Sequence, residues 1–243
     1  MVNTYSLISA LCLIAVACAP AHAERGEPAR AVVELFTSQG CYSCPPADAL
    51  LQETIKEHPD VVALEYHVDY WDELVYGAAG QWRDPYSDRA FSSRQRDYNG
   101  RALEGRRGVY TPQMIVNGVY GLVGSDRKTL ARQLDASGKP KIEVFVQAGL
   151  DGWSIDLHGE TPGDLDIYLV RFLPSVTTSV TAGENHGKHM RNNHVVTAIE
   201  RLARWHGATV SLPRDKSANV PETGCAILAQ RTSGAILGAA YCP

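Results

Sequence analysis

Val32-Val33-Glu34-Leu35-Phe36-Thr37-Ser38-Gln39-Gly40-Cys41-Tyr42-Ser43-Cys44-Pro45-Pro46-Ala47-Asp48-Ala49-Leu50-Leu51 decides how the chain is read. An apolar run passes through a glycine and a Cys-x-x-Cys pair into two prolines and a helical pattern. Ala31 to Phe36 reads as a strand, interrupted only by Glu34. Prolines suit the first turn of a helix, where a missing N–H costs little, so a helix is predicted to open at Pro45. Two cysteines at this spacing can close a small ring. Near a helix N-terminus, unpaired N–H groups and the helix dipole stabilise a thiolate. These are the conditions for a reversible dithiol/disulfide centre, with Cys41 expected to be the more exposed thiol and the one of lower pKa.

Outward from this stretch, Leu50, Leu51 and Ile55 continue a helical face that Pro59 ends. Val61 to Val68 is a second apolar strand. Strand, helix and strand make a βαβ unit, hence a parallel pair. Residues 69–108 read as an insertion, with Trp71, Trp82, Tyr86, Phe91 and Tyr98 among seven arginines and a helix over Ser87–Tyr98. The insertion is either a packing cap or a substrate platform. Val109 to Tyr120 reads as two strands around an Asn117-Gly118 hairpin turn. Ser125 is predicted to cap a helix carrying Leu130, Ala131 and Leu134, with Gly138 beyond its end.

After Pro140 the pattern becomes alternating, through Ile142/Val144/Val146, Trp153/Ile155/Leu157 and Leu165/Ile167/Leu169. Short apolar runs follow at 208–212, 226–230 and 235–241, while His194–Trp205 fits helix and strand equally. The fold expected is an α/β domain over 24–139 with its insertion, followed by a β-rich, sandwich-like domain over 140–243.

The 243 residues carry a formal net charge of −4, which argues against nucleic acid as a partner. Leu7–Ala19 and Ala21-His22-Ala23 resemble a secretory signal cleaved near Ala23. A periplasmic or secreted product without a stable membrane span is expected, with lipid anchoring at Cys18 as the alternative. Cleavage would leave four cysteines, 41, 44, 225 and 242. An even number in an exported chain suggests two disulfides, and the pairing favoured is 41–44 with 225–242. For the second pair there is a register argument. If Ser233-Gly234 is a two-residue hairpin loop, opposed positions sum to 467, and Cys225 faces Cys242 within reach of a structural disulfide.

The Cys-x-x-Cys pair itself admits three readings: redox, structural or metal-binding. A zinc site needs two more N/S ligands, and no second Cys-x-x-Cys is present. His186, His189, His194 and His206 form no tight motif and read as solvated.

Gly40-Cys41-Tyr42-Ser43-Cys44-Pro45 after a strand, with Thr111-Pro112 before an Asn-Gly hairpin, resembles the thioredoxin superfamily. More closely, the run from Phe36 to Asp48, His67-Val68-Asp69-Tyr70-Trp71-Asp72, and Tyr110-Thr111-Pro112-Gln113-Met114 resemble the exported bacterial family called domain of unknown function 1223. The resemblance implies a thioredoxin-like α/β domain and a thiol–disulfide oxidoreductase that needs no cofactor. Its partners would be protein thiols or disulfides and a redox partner. It implies Cys41 as nucleophile, Cys44 as resolving thiol, and Pro112 as a cis-proline leaving the Thr111 backbone free for a peptide. Glu34 is the nearest candidate for a buried proton-transferring carboxylate, one residue further from the first cysteine than the superfamily pattern. Copper-delivery proteins on this fold imply the alternative of a binding module, with Cys41, Cys44 and His67 as ligands or the dithiol as a staple.

Overall fold

The computed structural model describes residues 25–101, 103–149, 152–160, 163–206, 210–213 and 223–243. The signal-like segment, its cleavage site and Cys18 lie outside the described residues.

In chain order the strands begin with β1 (Arg25–Gly26) and β2 (Ala31–Thr37), followed by helix α1 (Pro45–Glu57) and β3 (Val61–His67). The segment that follows holds 3₁₀ turns at Asp69–Trp71 and Gly77–Ala79, the short strands β4 (Val75–Tyr76) and β5 (Gly80–Gln81), helix α2 (Arg89–Asn99) and β6 (Glu104–Gly105). Then come β7 (Gln113–Val116), β8 (Tyr120–Val123) and α3 (Arg127–Ala136). The remainder is β9 (Glu143–Gly149), β10 (Gly152–His158), β11 (Leu165–Ser179), β12 (His189–Trp205), β13 (Val210–Pro213), β14 (Gly224–Gln230) and β15 (Ile236–Tyr241). Among the described residues no helix is long and apolar enough to cross a membrane.

The protein is a mixed α/β structure with one large sheet, ordered β15-β14-β11-β12-β3-β2-β7-β8-β6. β2 and β3 pair in parallel with Ala31 opposite Val61, so the first strand, helix and strand do form a βαβ unit. Strands from beyond Pro140 enter the same sheet where β12 pairs in parallel with β3, Val195 opposite Glu65. A second sheet has the order β1-β9-β10-β13. Ile142, Val144, Val146 and Ile155 on its side meet Leu165, Ile167, Ile227 and Ala229 of the large sheet in one buried cluster.

Both faces of β2 and β3 are covered, which is why these strands read as continuous apolar runs. Side chains alternate across a strand. Val32 and Phe36 therefore join Val62, Leu64 and Tyr66 in a cluster with Phe91 and Tyr98 of α2. Ala31, Val33 and Leu35 point the other way, against Ala47, Leu50 and Leu51 of α1 and Leu130 and Leu134 of α3. This division into two faces governs the placement of every polar group near the dithiol.

Three local expectations change. The α3 cap is Asp126, whose side chain accepts from the Thr129 amide, and not Ser125. His194–Trp205 is strand, held between β11 and β3. The last hairpin turns more widely than Ser233-Gly234: Arg231 N donates to Ala235 O at 2.8 Å, and Gly234 takes φ 103°. A bulge between Ala229 and Gln230 then restores the register, so Ala226 faces Tyr241 and the sum of 467 stands.

Candidate functional site

The dithiol loop begins where β2 ends. Cys41 N donates to Ser38 O at 3.1 Å, Gly40 N donates to Ser38 Oγ at 3.0 Å, and Cys44 N donates to Cys41 O at 3.2 Å. Cys44 occupies the N-cap position of α1, and its carbonyl accepts from the amides of Ala47 (2.8 Å) and Asp48 (3.1 Å). Pro45 and Pro46 fill the positions that have no helical acceptor to satisfy. Cys41 and Cys44 are joined by a disulfide, with Cα atoms 5.4 Å apart.

The expectation that Cys41 is exposed is corrected: both cysteines have 0% relative exposure, whereas Tyr42 between them is 67% exposed. Part of the cover comes from far along the chain. The turn joining β11 to β12 lies over the loop, and Asn185 Nδ2 donates to the carbonyls of both Gln39 and Cys41 at 2.9 Å. Glu184 Oε2 accepts from Tyr42 N at 2.8 Å. Lys188 Nζ donates to Asn185 Oδ1 at 2.7 Å and sits 4.7 Å from the Tyr42 ring centroid.

On another side stands Pro112, buried, in a cis peptide with Thr111. It meets the first turn of α1: a Cβ on Gly124 would lie 2.9 Å from both the Ala47 and the Pro112 Cβ atoms. Only a glycine leaves room between these two side chains. Thr111 is half-buried, and its hydroxyl accepts from Trp71 Nε1 at 2.7 Å. Trp71 in turn packs 3.5 Å from the Cβ position of Gly40. The sequence separations are long, yet Cys41, Cys44, Pro112 and Thr111 gather around one helix end.

Beneath the loop, on the α1 face of the sheet, is a buried polar network that the sequence reading missed. His67 Nδ1 bonds Asp84 Oδ2 at 2.7 Å, and Nε2 bonds Glu65 Oε1 at 3.2 Å. Asp84 Oδ2 also accepts from Gln39 N at 2.7 Å, which ties the network to the dithiol loop. Glu65 accepts from Asn192 Nδ2 at 2.6 Å and from Asn193 N at 2.9 Å, and Asn192 Oδ1 accepts from Gln39 Nε2 at 3.0 Å. Burial pulls the His67 pKa down, but the Asp84 charge and the hydrogen bonds to Asp84 and Glu65 outweigh it and hold it well above the usual imidazole value. For Asp84 the desolvation is outweighed by His67, which keeps the carboxyl below its ordinary range. His67 is thus held between Asp84 and Glu65 in a setting that favours its protonated form.

Asp48 also lies on this face, with Oδ1 accepting from Thr37 Oγ1 at 2.7 Å. Burial first, and then the Glu65 charge, push its carboxyl well above the ordinary range. A signal was available in the sequence: Asp48 stands four residues after Cys44, on the same helix face.

Glu34 goes elsewhere. It falls on the α2 face, where Oε1 accepts from Arg94 Nε at 2.7 Å and Oε2 accepts from the Tyr98 hydroxyl. Arg94 is raised further above its ordinary range, the Glu34 charge overcoming its desolvation. Glu34 thus sits across the sheet from the helix that carries Cys44. His67, with both ring nitrogens engaged by carboxylates, does not turn toward the cysteines. Among the described residues no group of three or more His, Cys, Asp or Glu is arranged to hold a metal ion. The other histidines are scattered: His189 bonds Ser179, His194 bonds Ala63 O, and His206 pairs with Asp164. Cys225 and Cys242 are joined across the β14–β15 hairpin, with Cys242 N donating to Cys225 O at 2.9 Å.

The family described as "Protein of unknown function (DUF1223)" matches residues 32–230. The crystal structure of protein AGR_C_4864 from Agrobacterium tumefaciens is 37% identical, with a TM-score of 0.73 over 88% of this chain and 94% of that one. No curated protein matches the chain.

Proposed function

We propose that this chain, which belongs to the DUF1223 family of proteins of unknown function, is an exported thiol–disulfide oxidoreductase of thioredoxin-like layout acting through Cys41 and Cys44. The observation that carries the reading is the bonded cysteine pair at the N-terminus of α1, with cis-Pro112 packed against that helix's first turn. The helix end favours the thiolate that exchange requires.

From the oxidised state, a substrate thiolate attacks Cys41 Sγ. The Cys41–Cys44 bond breaks, and Cys44 departs as a thiolate that takes up a proton. A second substrate thiol, deprotonated, attacks the substrate sulfur of the mixed disulfide and releases Cys41. The substrate loses two electrons and the protein gains them. From the reduced state the same steps run backwards, Cys41 attacking a substrate disulfide and Cys44 resolving the adduct.

The test is capture. Cys44→Ala is expected to accumulate disulfide-linked adducts on non-reducing gels when purified reduced protein meets a disulfide-bonded model polypeptide. Cys41→Ala is expected to accumulate far fewer. Equal capture by the two variants would remove the enzymatic reading.

A further inference from the structure

We propose that residues 183–188, the tip of the β11–β12 hairpin, form a latch that closes over the Cys41–Cys44 disulfide and must swing away before an incoming sulfur can reach it. The latch deepens the redox reading above and has a purpose only if that dithiol exchanges.

Exchange requires a thiolate to approach a sulfur directly. Here neither cysteine is accessible, although Tyr42 and Ser43 between them are exposed. The dithiol loop is flanked by Trp71 on one side and carries the β11–β12 turn bonded to its main chain on another. That turn makes its contacts through side chains aimed at the main chain of the loop. Asn185, itself fully buried, has its amide shared between Gln39 O and Cys41 O and its carbonyl held by Lys188. Glu184 takes the Tyr42 amide. One N–H and two carbonyls of the loop are thereby matched, the same groups an extended polypeptide would pair with. An extended polypeptide is accordingly the kind of partner that can replace the latch, whereas a small thiol has nothing with which to displace it.

The latch is built to move as a unit. Its turn is closed internally: Val180 N donates to Lys188 O (2.9 Å), Gly187 N to Val180 O (2.8 Å) and His186 N to Gly183 O (3.2 Å). Gly183 and Gly187 adopt φ of 72° and 81°, which an L side chain rarely takes. The arm that carries it is slender. β14 accompanies β11 only as far as Phe172, and β12 pairs with β3 only at Val195. Beyond those points the β ladder joins the two strands only to each other, from Leu173–Val195 to Ser179–His189, a pairing that adds little by itself, while Asn192 and Asn193 stay bonded to Gln39 and Glu65, so the part able to swing is the tip beyond them. Glu184, His186, Gly187 and Lys188 are exposed, while Gly183 rests against Trp82.

The experiment uses oxidised full-length protein and dithiothreitol. One reagent thiolate attacks Cys41 Sγ and expels Cys44. The second reagent thiol then closes the reagent into its cyclic disulfide and frees Cys41, so two electrons pass to the protein. Free thiols are alkylated at intervals and located by peptide mass. Asn185→Ala and Glu184→Ala are each expected to speed reduction of Cys41–Cys44 by about tenfold, the worth of a lost hydrogen bond to a charged or buried group. Cys225–Cys242 should be reduced no faster than in the wild type, which separates latch opening from general unfolding. Rates unchanged from wild type would overturn the latch, as would acceleration shared equally by both disulfides.

Hydrogen exchange of the wild type gives a second reading independent of any variant's folding. The amide of Tyr42, held across the latch by Glu184 Oε2, should exchange well before those of β2. Equal protection would mean that the tip opens only with the whole fold, and would also overturn the latch. Since dithiothreitol reduction requires no enzymatic activity, these outcomes stand or fall separately from adduct capture by Cys44→Ala.

Discussion

Asp48 follows Cys44 by one turn of α1, its amide bonded to the Cys44 carbonyl at 3.1 Å and its carboxyl buried against Thr37. Oδ2 of that carboxyl has no protein partner. An ionised Asp48 would be a buried charge near Glu65 and Asp84 that the Thr37 hydroxyl and His67 offset only in part, so burial favours the protonated form.

The pH dependence follows from the sign of that shift. A carboxyl whose folded pKa lies above its unfolded value of about 3.9 adds stability below that value and loses it as pH rises through the folded value. Asp48→Asn lacks the titration. Urea midpoints measured from pH 4 to pH 9 should therefore show the variant gaining on the wild type as pH rises. A difference that stays constant across this range would contradict the assignment. Asp48→Asn should also slow exchange at Cys41–Cys44 at neutral pH, since a protonated carboxyl one turn along the helix can return a proton to the departing Cys44 sulfur.

Glu34 gives the contrasting prediction. Its carboxylate pairs with Arg94 and Tyr98 on the α2 face. Arg94→Ala leaves Glu34 buried without its charge partner and is expected to lower stability by about 3–5 kcal/mol in urea titrations. Folded Glu34→Gln protein should exchange disulfides at the wild-type rate, because the helix bearing Cys44 lies across the sheet. A large loss of exchange rate in folded Glu34→Gln would restore Glu34 to the proton path.

These two carboxylates show how far the sequence reaches. The strand, helix and strand from Ala31 to His67 and the hairpin at Asn117-Gly118 are legible because local chemistry specifies them: β-branched runs, a Pro-Pro helix start and an Asn-Gly turn. Period-two alternation also places Glu34 opposite to Leu35, but only a known helix position tells which face holds the dithiol. His194–Trp205 is ambiguous by composition, and its long-range pairing to β11 and β3 decides it. The latch was illegible for the same reason. Asn185 meets Cys41 across 144 residues, and nothing local marks it. The last hairpin is a different case: its loop was misread, and a bulge returned the cysteines to the expected register.

Cys225 and Cys242 close a loop of sequence separation 17 at the edge of the large sheet. Replacing both by alanine is expected to cost about 3 kcal/mol, mostly through a freer unfolded chain. Peptide mapping of such a variant should still find Cys41 linked to Cys44. A loss below about 1 kcal/mol, within the range where disulfides contribute little, would show that the β14–β15 ladder holds this edge unaided.

His67 supplies the last prediction. It faces Asp84 from the segment before α2, Glu65 from its own strand, Asp48 from α1, and the Tyr86 ring at 5.6 Å. Its pKa is raised on folding, so its contribution is complete below the unfolded value of about 6.5 and fades as pH climbs through the folded one. His67→Gln removes the only cation among these groups and leaves Glu65 and Asp84 facing each other. A loss of about 3–5 kcal/mol is expected at pH 6, the range for breaking a buried ion pair. The gap to wild type should narrow as pH rises, because the wild type sheds the same proton. Asp84 also holds the Gln39 amide, so the dithiol loop should loosen with it, and Cys41–Cys44 should be reduced faster in His67→Gln at pH 6. Denaturation at several pH values reads the first effect and thiol alkylation the second. A stability gap that does not change with pH would show that His67 is held neutral, and the clamped imidazolium would have to be abandoned.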